Sequence, residues 1–212
     1  MRKFLTLSIL LALISVPTFG QIYIPIPIGG IGKAVMPEHG FLPGKAFKFY
    51  PTINKFDFSG LKLRVELFDF RDSLKLSKIN CSDLEFTNTS EFKNPESIYK
   101  VGQYLDTLFK QSNAILDLNS TDTLQVELEG IDVRLIGFGY IRVHGLCQMK
   151  VKYHNFSKTY CVDITDADKN SPVSSNAFVT RKTATRILAS AAIREVIEQF
   201  FVDLQTLQNE TQ

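Results

Sequence analysis

The chain has 212 residues, 44% of them hydrophobic, and a formal net charge of +2 at pH 7. A chain of this length can bury one hydrophobic core of its own. Its nearly balanced charge gives no electrostatic basis for binding nucleic acid, so we expect no nucleic-acid partner.

Residues 1–20 have the three parts of a secretory signal peptide. Arg2 and Lys3 form a short cationic start, and the apolar run that follows is too short to span a bilayer stably. Small residues up to Gly20 predict cleavage before Gln21, and an uncleaved membrane anchor is the alternative. Cleavage would remove two cations and no acid, which lowers the net charge from +2 to zero. We therefore expect a periplasmic or extracellular protein with no membrane segment after cleavage.

The three cysteines are Cys81, Cys147 and Cys161. An exported chain can form disulfides, but an odd number leaves one thiol over unless chains pair with each other. Cys147 and Cys161 lie on two predicted hairpin strands, and alternation places their side chains on opposite faces. The pattern therefore predicts a buried thiol at Cys147, which a bulge between the strands would reverse. It leaves the pairing of Cys81 and Cys161 open.

Residues 21–58 read as an extended leader, because prolines and glycines interrupt them too often for a helix or a central strand. The leader is nevertheless rich in Ile and Phe. We expect it to lie on a surface of this protein or of a partner, where it would add to a sheet or groove. The predicted partner contacts in it are Ile24, Ile26, Ile28 and Phe41.

Residues 59–207 carry the pattern of one α+β domain. Alternation predicts a strand over residues 61–67 and a hairpin over residues 140–153 and 158–166. Helical spacing predicts one helix over residues 94–111 and a second, longer helix that ends near residue 207. The order strand, helix, strand, hairpin, helix predicts an antiparallel sheet of four to five strands, with both helices on one face. Residues 208–212 form a polar tail.

From about Leu61 to Leu204 the chain resembles the YajG-like family of bacterial envelope lipoproteins. The resemblance is carried by a first strand ending in Asp69-Phe70-Arg71, then a helix, a strand, a polar-turn hairpin and a long alanine-rich helix. It implies an exported protein of largely uncharacterised function, and it transfers no catalytic residue. The family is anchored through an N-terminal lipidated cysteine, whereas the first cysteine here is Cys81.

Two motifs suggest ligand sites and are read as ordinary structure. The glycines before Lys33 lack the hydroxyl residue of a phosphate-binding loop, because Ala34 follows. Asp166, Asp168 and Asn170 alternate as at the start of a calcium loop, but the later ligand positions of that loop are not filled. We expect a flexible leader and a polar turn, and we predict no cofactor and no metal.

Two charged groups suggest partner contacts. For Arg71, at the end of the first strand, the pattern favours an internal ion pair, and a grip on a partner's carboxylate or phosphate is the alternative. For the cations on the outward face of the hairpin, it favours a solvated face, and contact with an anionic glycan, a lipid headgroup or an acidic partner is the alternative. These cations are Arg142, His144, Lys150 and Lys152.

The sequence therefore predicts an exported, non-enzymatic envelope protein that acts as a binding, accessory or assembly module. Its predicted partner is an envelope protein or an anionic glycan. One alternative is a carrier of a small ligand or lipid, with a cavity between helices and sheet. The other is a hydrolase of unrecognised type, which would require an acid and a base that meet in a cleft.

Overall fold

The computed structural model of this protein describes residues 26–28, 50–71, 81–84, 96–136, 142–172 and 181–211. In chain order, the elements in these ranges are β1 (Ile26–Ile28), β2 (Lys62–Asp69), α1 (Glu96–Gln111), β3 (Ile115–Leu116), β4 (Thr123–Ile136), β5 (Arg142–Tyr153), β6 (Phe156–Thr165) and α2 (Arg181–Thr211).

The strands form one sheet in the order β1-β2-β4-β5-β6, and the short strand β3 pairs with β2. This arrangement confirms the predicted α+β fold. The sheet is mixed rather than purely antiparallel, because β2 runs parallel to both β3 and β4. A parallel pair requires a long crossover, and α1 lies within the connection between β2 and β4.

Both helices pack on one face of the sheet, as predicted. Phe58, Phe109 and Phe201 meet between them, with ring centroids 5.0 Å apart for Phe58 and Phe201 and 4.8 Å apart for Phe109 and Phe201. Phe109 belongs to α1 and Phe201 to α2, so this aromatic cluster joins the two helices. Buried strand residues such as Val65 and Val126 belong to the same core.

The end of the predicted leader is built into the domain. Phe56 and Phe58 are buried in the core. Just before them, the backbone N–H groups of Ile53 and Asn54 donate to the carboxylate of Glu198 on α2, at 3.1 and 2.6 Å. Residues 50–58 are therefore held against the helices by apolar packing and by hydrogen bonds.

Both helices bury the apolar positions that their spacing predicted, but α2 extends beyond its predicted C-terminal end. α1 stops at Gln111, and Asn113 then takes a left-handed conformation with φ 63°, a usual way to end a helix. The apolar stripe of α2 is buried as predicted, from Ile193 to Leu204. α2 continues to Thr211, into the predicted polar tail. Neither described helix combines the length and apolar character needed to cross a membrane.

Candidate binding edge of the sheet

The two edges of the sheet differ in how they are closed. At one end lies β1, a three-residue strand with Pro27 at its centre. A short edge strand that contains proline is a poor template for further pairing. At the other end lies β6, which has ten residues and pairs with β5 through Thr165 without a break in register. The long edge is therefore the one that offers backbone groups to another strand.

The direction of the β6 backbone groups follows from one hydrogen bond. The N–H of Asp166 donates to the carbonyl of Val143 at 3.1 Å. In an antiparallel pair, every second residue bonds to the neighbouring strand and the residues between point away from it. The outward N–H and C=O groups thus belong to Ser157, Thr159, Cys161, Asp163 and Thr165.

One of these outward residues is already bonded. The N–H of Thr165 donates to the Asp168 carboxylate at 2.5 Å, and its carbonyl accepts from the N–H of Asp168 at 3.3 Å. The structure assigns no backbone partner, within the ranges that it describes, to the outward groups of Ser157, Thr159, Cys161 and Asp163. These four residues form what we call the open edge.

A cleft of about 420 Å³ lies along the second half of the open edge. One wall comes from Glu195 and Gln199 on α2, and the opposite wall comes from the Cys81–Cys161 disulfide. Its remaining lining residues are Val162, Asp163, Ile164, Asp168, Lys169 and Asn170. The outward backbone groups of Cys161 and Asp163 therefore lie in a cleft with side walls, rather than on a flat surface.

The charged side chains that line this cleft are Asp163, Asp168, Glu195 and Lys169. Behind the lining, the buried Arg194 forms an ion pair with Glu195 at 3.4 Å and donates to the carbonyl of Asn170 at 3.3 Å. With Arg194 counted, the three acids exceed the two cations by one charge. The Arg194–Glu195 contact is long for a hydrogen bond, so Glu195 can still accept further bonds.

Asp163 also joins a histidine and a serine beside the cleft. Its two carboxylate oxygens contact Nδ1 of His144 at 2.8 Å and the hydroxyl of Ser82 at 2.7 Å. A nucleophilic serine requires the imidazole to lie between hydroxyl and carboxylate, so that it can take the hydroxyl proton. Here the carboxylate lies between the other two groups. The group therefore positions Ser82 rather than activating it.

The structure gives the disulfide that the sequence left open and the thiol that it predicted. Cys81 and Cys161 are joined, and Cys147 is a buried thiol, as its alternation predicted. Burial raises the pKa of Cys147 well above its usual value. Cys161 lies opposite Gln148 and Cys147 opposite Val162, so the two cysteines occupy different positions and faces, as expected.

Arg71 is buried and forms the internal ion pair that the sequence favoured over a partner contact. Its guanidinium donates to both carboxylate oxygens of Asp69, at 2.8 and 2.5 Å. Only 6% of its side chain is exposed. A bidentate pair at this depth leaves little guanidinium surface for a partner, because β2 ends by folding Arg71 back onto its own aspartate.

The hairpin cations lie beside acids on the neighbouring strands. Lys152 forms an ion pair with Glu127 on β4, and Lys150 lies directly opposite Glu127 in the register. His144 contacts Asp163 on β6. Since acids from β4 and β6 alternate with these cations, this face does not form a purely cationic surface for an anionic glycan.

The Asp166–Asn170 segment is a polar turn. Asp168 accepts from the Thr165 hydroxyl at 2.9 Å as well as from its N–H, and Asp166 accepts from the N–H of Val143 at 3.4 Å. These carboxylates close the end of the β5–β6 hairpin. Within the residues that the structure describes, three or more His, Cys, Asp or Glu side chains nowhere converge as metal ligands would.

The predicted contacts in the leader are placed only in part. Ile24 and Phe41 lie outside the residues that the structure describes. The backbone of Ile26 lies opposite Leu67 on β2, and that of Ile28 lies opposite Val65. This stretch of the leader therefore adds a strand to the sheet of its own chain.

The open edge itself was not singled out from the sequence. The hairpin was predicted, but its order in the sheet depends on pairings between distant segments. One signal was available: the second hairpin strand is the last strand that the alternation predicts, although an earlier strand could still have covered it.

Comparisons with known proteins leave the family open. No family model matches the chain, and no curated protein matches it. A crystal structure of protein XCC0632 from Xanthomonas campestris, described as family DUF330, is similar over 79% of this chain and 97% of that chain. The two share 11% sequence identity with a TM-score of 0.44. A similarity this low supports no conclusion about function.

Proposed function

We propose that this protein is an exported, non-enzymatic binding module of the bacterial cell envelope. In this proposal it holds an extended segment of an envelope protein along the open edge of β6. The observation that carries the proposal is the row of outward backbone groups at Ser157, Thr159, Cys161 and Asp163, beside a walled cleft. An extended segment that adds to such an edge gains main-chain hydrogen bonds, and the walls add selectivity for its side chains.

Three features support export. Residues 1–20 have the composition of a signal peptide. The Cys81–Cys161 disulfide belongs to a compartment that is oxidising, such as the periplasm. The YajG-like resemblance points to the same compartment. The disulfide also ties residues 81–84 to β6, so oxidation in that compartment would complete one wall of the cleft.

Two observations favour binding at the sheet edge over a ligand carrier or a hydrolase. A carrier would require a cavity between helices and sheet, but Tyr104, Phe109 and Phe200 fill part of this space and are almost completely buried. A hydrolase would require a base in contact with a nucleophile, and in the Ser82 group the carboxylate separates hydroxyl from imidazole.

The leader remains a second set of proposed contacts, at Ile24, Ile26, Ile28 and Phe41. In this proposal the leader closes one edge of the sheet, and the partner adds to the other edge. The two sets of contacts are separable by experiment, because β1 and β6 lie at opposite ends of the strand order.

The test is photo-crosslinking in intact cells, with a photoreactive amino acid placed at Ser157 or Thr159. Matched positions are the exposed Tyr99 on α1, as the control, and Ile24 and Phe41 in the leader. We expect a discrete adduct with an envelope protein from the β6 positions and none from Tyr99. Adducts from the leader positions alone would contradict docking at β6, and adducts from none of the positions would contradict a binding module.

A further inference from the structure

The cleft constrains which extended segment fits the open edge. Side chains of an added strand alternate between the two faces of the sheet. Along the second half of β6, one face meets the α2 wall with Glu195 and Gln199. The other face meets Asp163, whose side chain shares the outer side of the sheet with Cys161 and the disulfide.

Each of these two faces presents a carboxylate to the added strand. The side chain of Glu195 is 30% exposed, and that of Asp163 is 18% exposed. Asp168, which already accepts hydrogen bonds from Thr165, adds a third carboxylate at the end of the cleft, and Lys169 is the one cation among the described lining residues. Since acids stand on both sides of the edge, neighbouring residues of the added strand would each face a carboxylate.

We propose that the cleft selects an extended segment of a partner protein with basic side chains, Lys or Arg, at neighbouring positions. This inference rests on the proposed function and specifies its partner. Charge complementarity across a cleft of this kind steers association and disfavours partners of like charge. A second copy of this chain fits less well, because its β6 would bring the same acids to the same cleft.

The probe is a fluorescent peptide of alternating Thr and Val with Lys at its central positions. The matched probe has Glu in place of each Lys. Binding of both peptides to the exported chain is measured by anisotropy, and amide exchange at Thr159, Cys161 and Asp163 is measured by NMR. We expect the Lys peptide to bind roughly tenfold more tightly, as two favourable charge pairs would produce, and to slow exchange at all three amides.

Two variants localise the effect. Glu195→Gln removes the carboxylate from the α2 wall, and it should weaken the Lys peptide roughly threefold. Asp106→Asn also removes one acid, but from the Asp106–Lys110 pair on α1, and it should leave the affinity unchanged.

The outcomes separate this inference from the proposed function. Slowed exchange with equal affinity for the Lys and Glu peptides would overturn the basic-segment inference and keep docking at the edge. No binding and no change in exchange with either peptide would overturn both. Equal weakening by Glu195→Gln and Asp106→Asn would show that the selection is not made at the cleft, and it would overturn the inference alone.

Discussion

A Cβ atom on Gly145 would lie 2.3 Å from the backbone carbonyl oxygen of Leu188. Gly145 lies near the start of β5, paired with β4 on one side and β6 on the other, and Leu188 is in the first half of α2. Alanines in the same part of α2, among them Ala189 and Ala192, are completely buried. The helix therefore lies so close to β5 that the strand has room for a hydrogen atom but no side chain at this point. This contact sets a close approach between α2 and β5.

We predict that Gly145→Ala lowers the free energy of unfolding by about 3 kcal/mol, because a backbone carbonyl must move to make room. Gly60→Ala is the matched control, since its Cβ would meet nothing within 4 Å. Gly60 has a φ of 87°, so the control should still lose about 1 kcal/mol to backbone strain. Chemical denaturation measures both, and equal losses would show that the contact with Leu188 is not tight.

Removal of the disulfide should be one of the most destabilising changes in this protein. Cys81 and Cys161 are 80 residues apart, so their bond closes a long loop in the unfolded chain. We expect replacement of both cysteines by serine to lower the free energy of unfolding by about 4 kcal/mol. The measurement is denaturation with and without reductant. Reductant should lower the stability of the parent chain and leave the variant unchanged, and a parent chain insensitive to reductant would contradict the bond.

Cys147 should be unreactive until the protein unfolds. Its side chain is completely buried, and desolvation raises the pKa of the thiol, so almost no thiolate is present at neutral pH. We expect a thiol reagent to label no cysteine in the native oxidised chain and only Cys147 after denaturation without reductant. Rapid native labelling of Cys147 would contradict its placement in the core.

Asp203 should stabilise the fold in a pH-dependent way. Burial acts to raise its pKa, but hydrogen bonds from Lys158 and Tyr160, each 2.6 Å long, outweigh that effect and lower it. A lowered folded-state pKa contributes stability above the unfolded value of about 3.9, and this stability is lost as the pH falls through the folded-state pKa. Asp203→Asn should therefore cost about 1 kcal/mol at pH 7.

The same comparison of parent and Asp203→Asn at lower pH serves as the control. Denaturation of parent and variant should show a difference at pH 7 that begins to shrink as the pH falls below about 3.9 and is smallest below the folded-state pKa, where Asp203 is protonated in both states. A difference that stays constant down to pH 2 would show that the carboxylate charge contributes nothing.

Local periodicity was sufficient to predict most elements. The 3.6-residue spacing identified the apolar stripe of α2, and the two-residue alternation placed Cys147 in the core and Cys161 on the other face. These signals are local, because side-chain direction in a helix or strand depends on position along that element alone.

The remaining features depend on contacts between distant segments. Alternation in β2 is the same whether its neighbour runs parallel or antiparallel, so the parallel pairing with β4 could not be read from it. The pairing of Cys81 with Cys161, 80 residues away, has no local signature either. Phe56 follows a proline-rich segment and was assigned to the leader, although its burial depends on Phe201 in α2.

The most direct test of docking at β6 combines a crosslinker at Ser157 with a substitution at Thr159. Thr159→Pro removes an N–H that points away from β5, so it should block an added strand while keeping the β5–β6 pairing. Thr159→Val keeps that N–H and is the matched control. We predict that the Ser157 adduct in intact cells is lost with Thr159→Pro and retained with Thr159→Val. An adduct that persists at the same yield in the proline variant, with its thermal stability unchanged, would contradict strand addition at this edge.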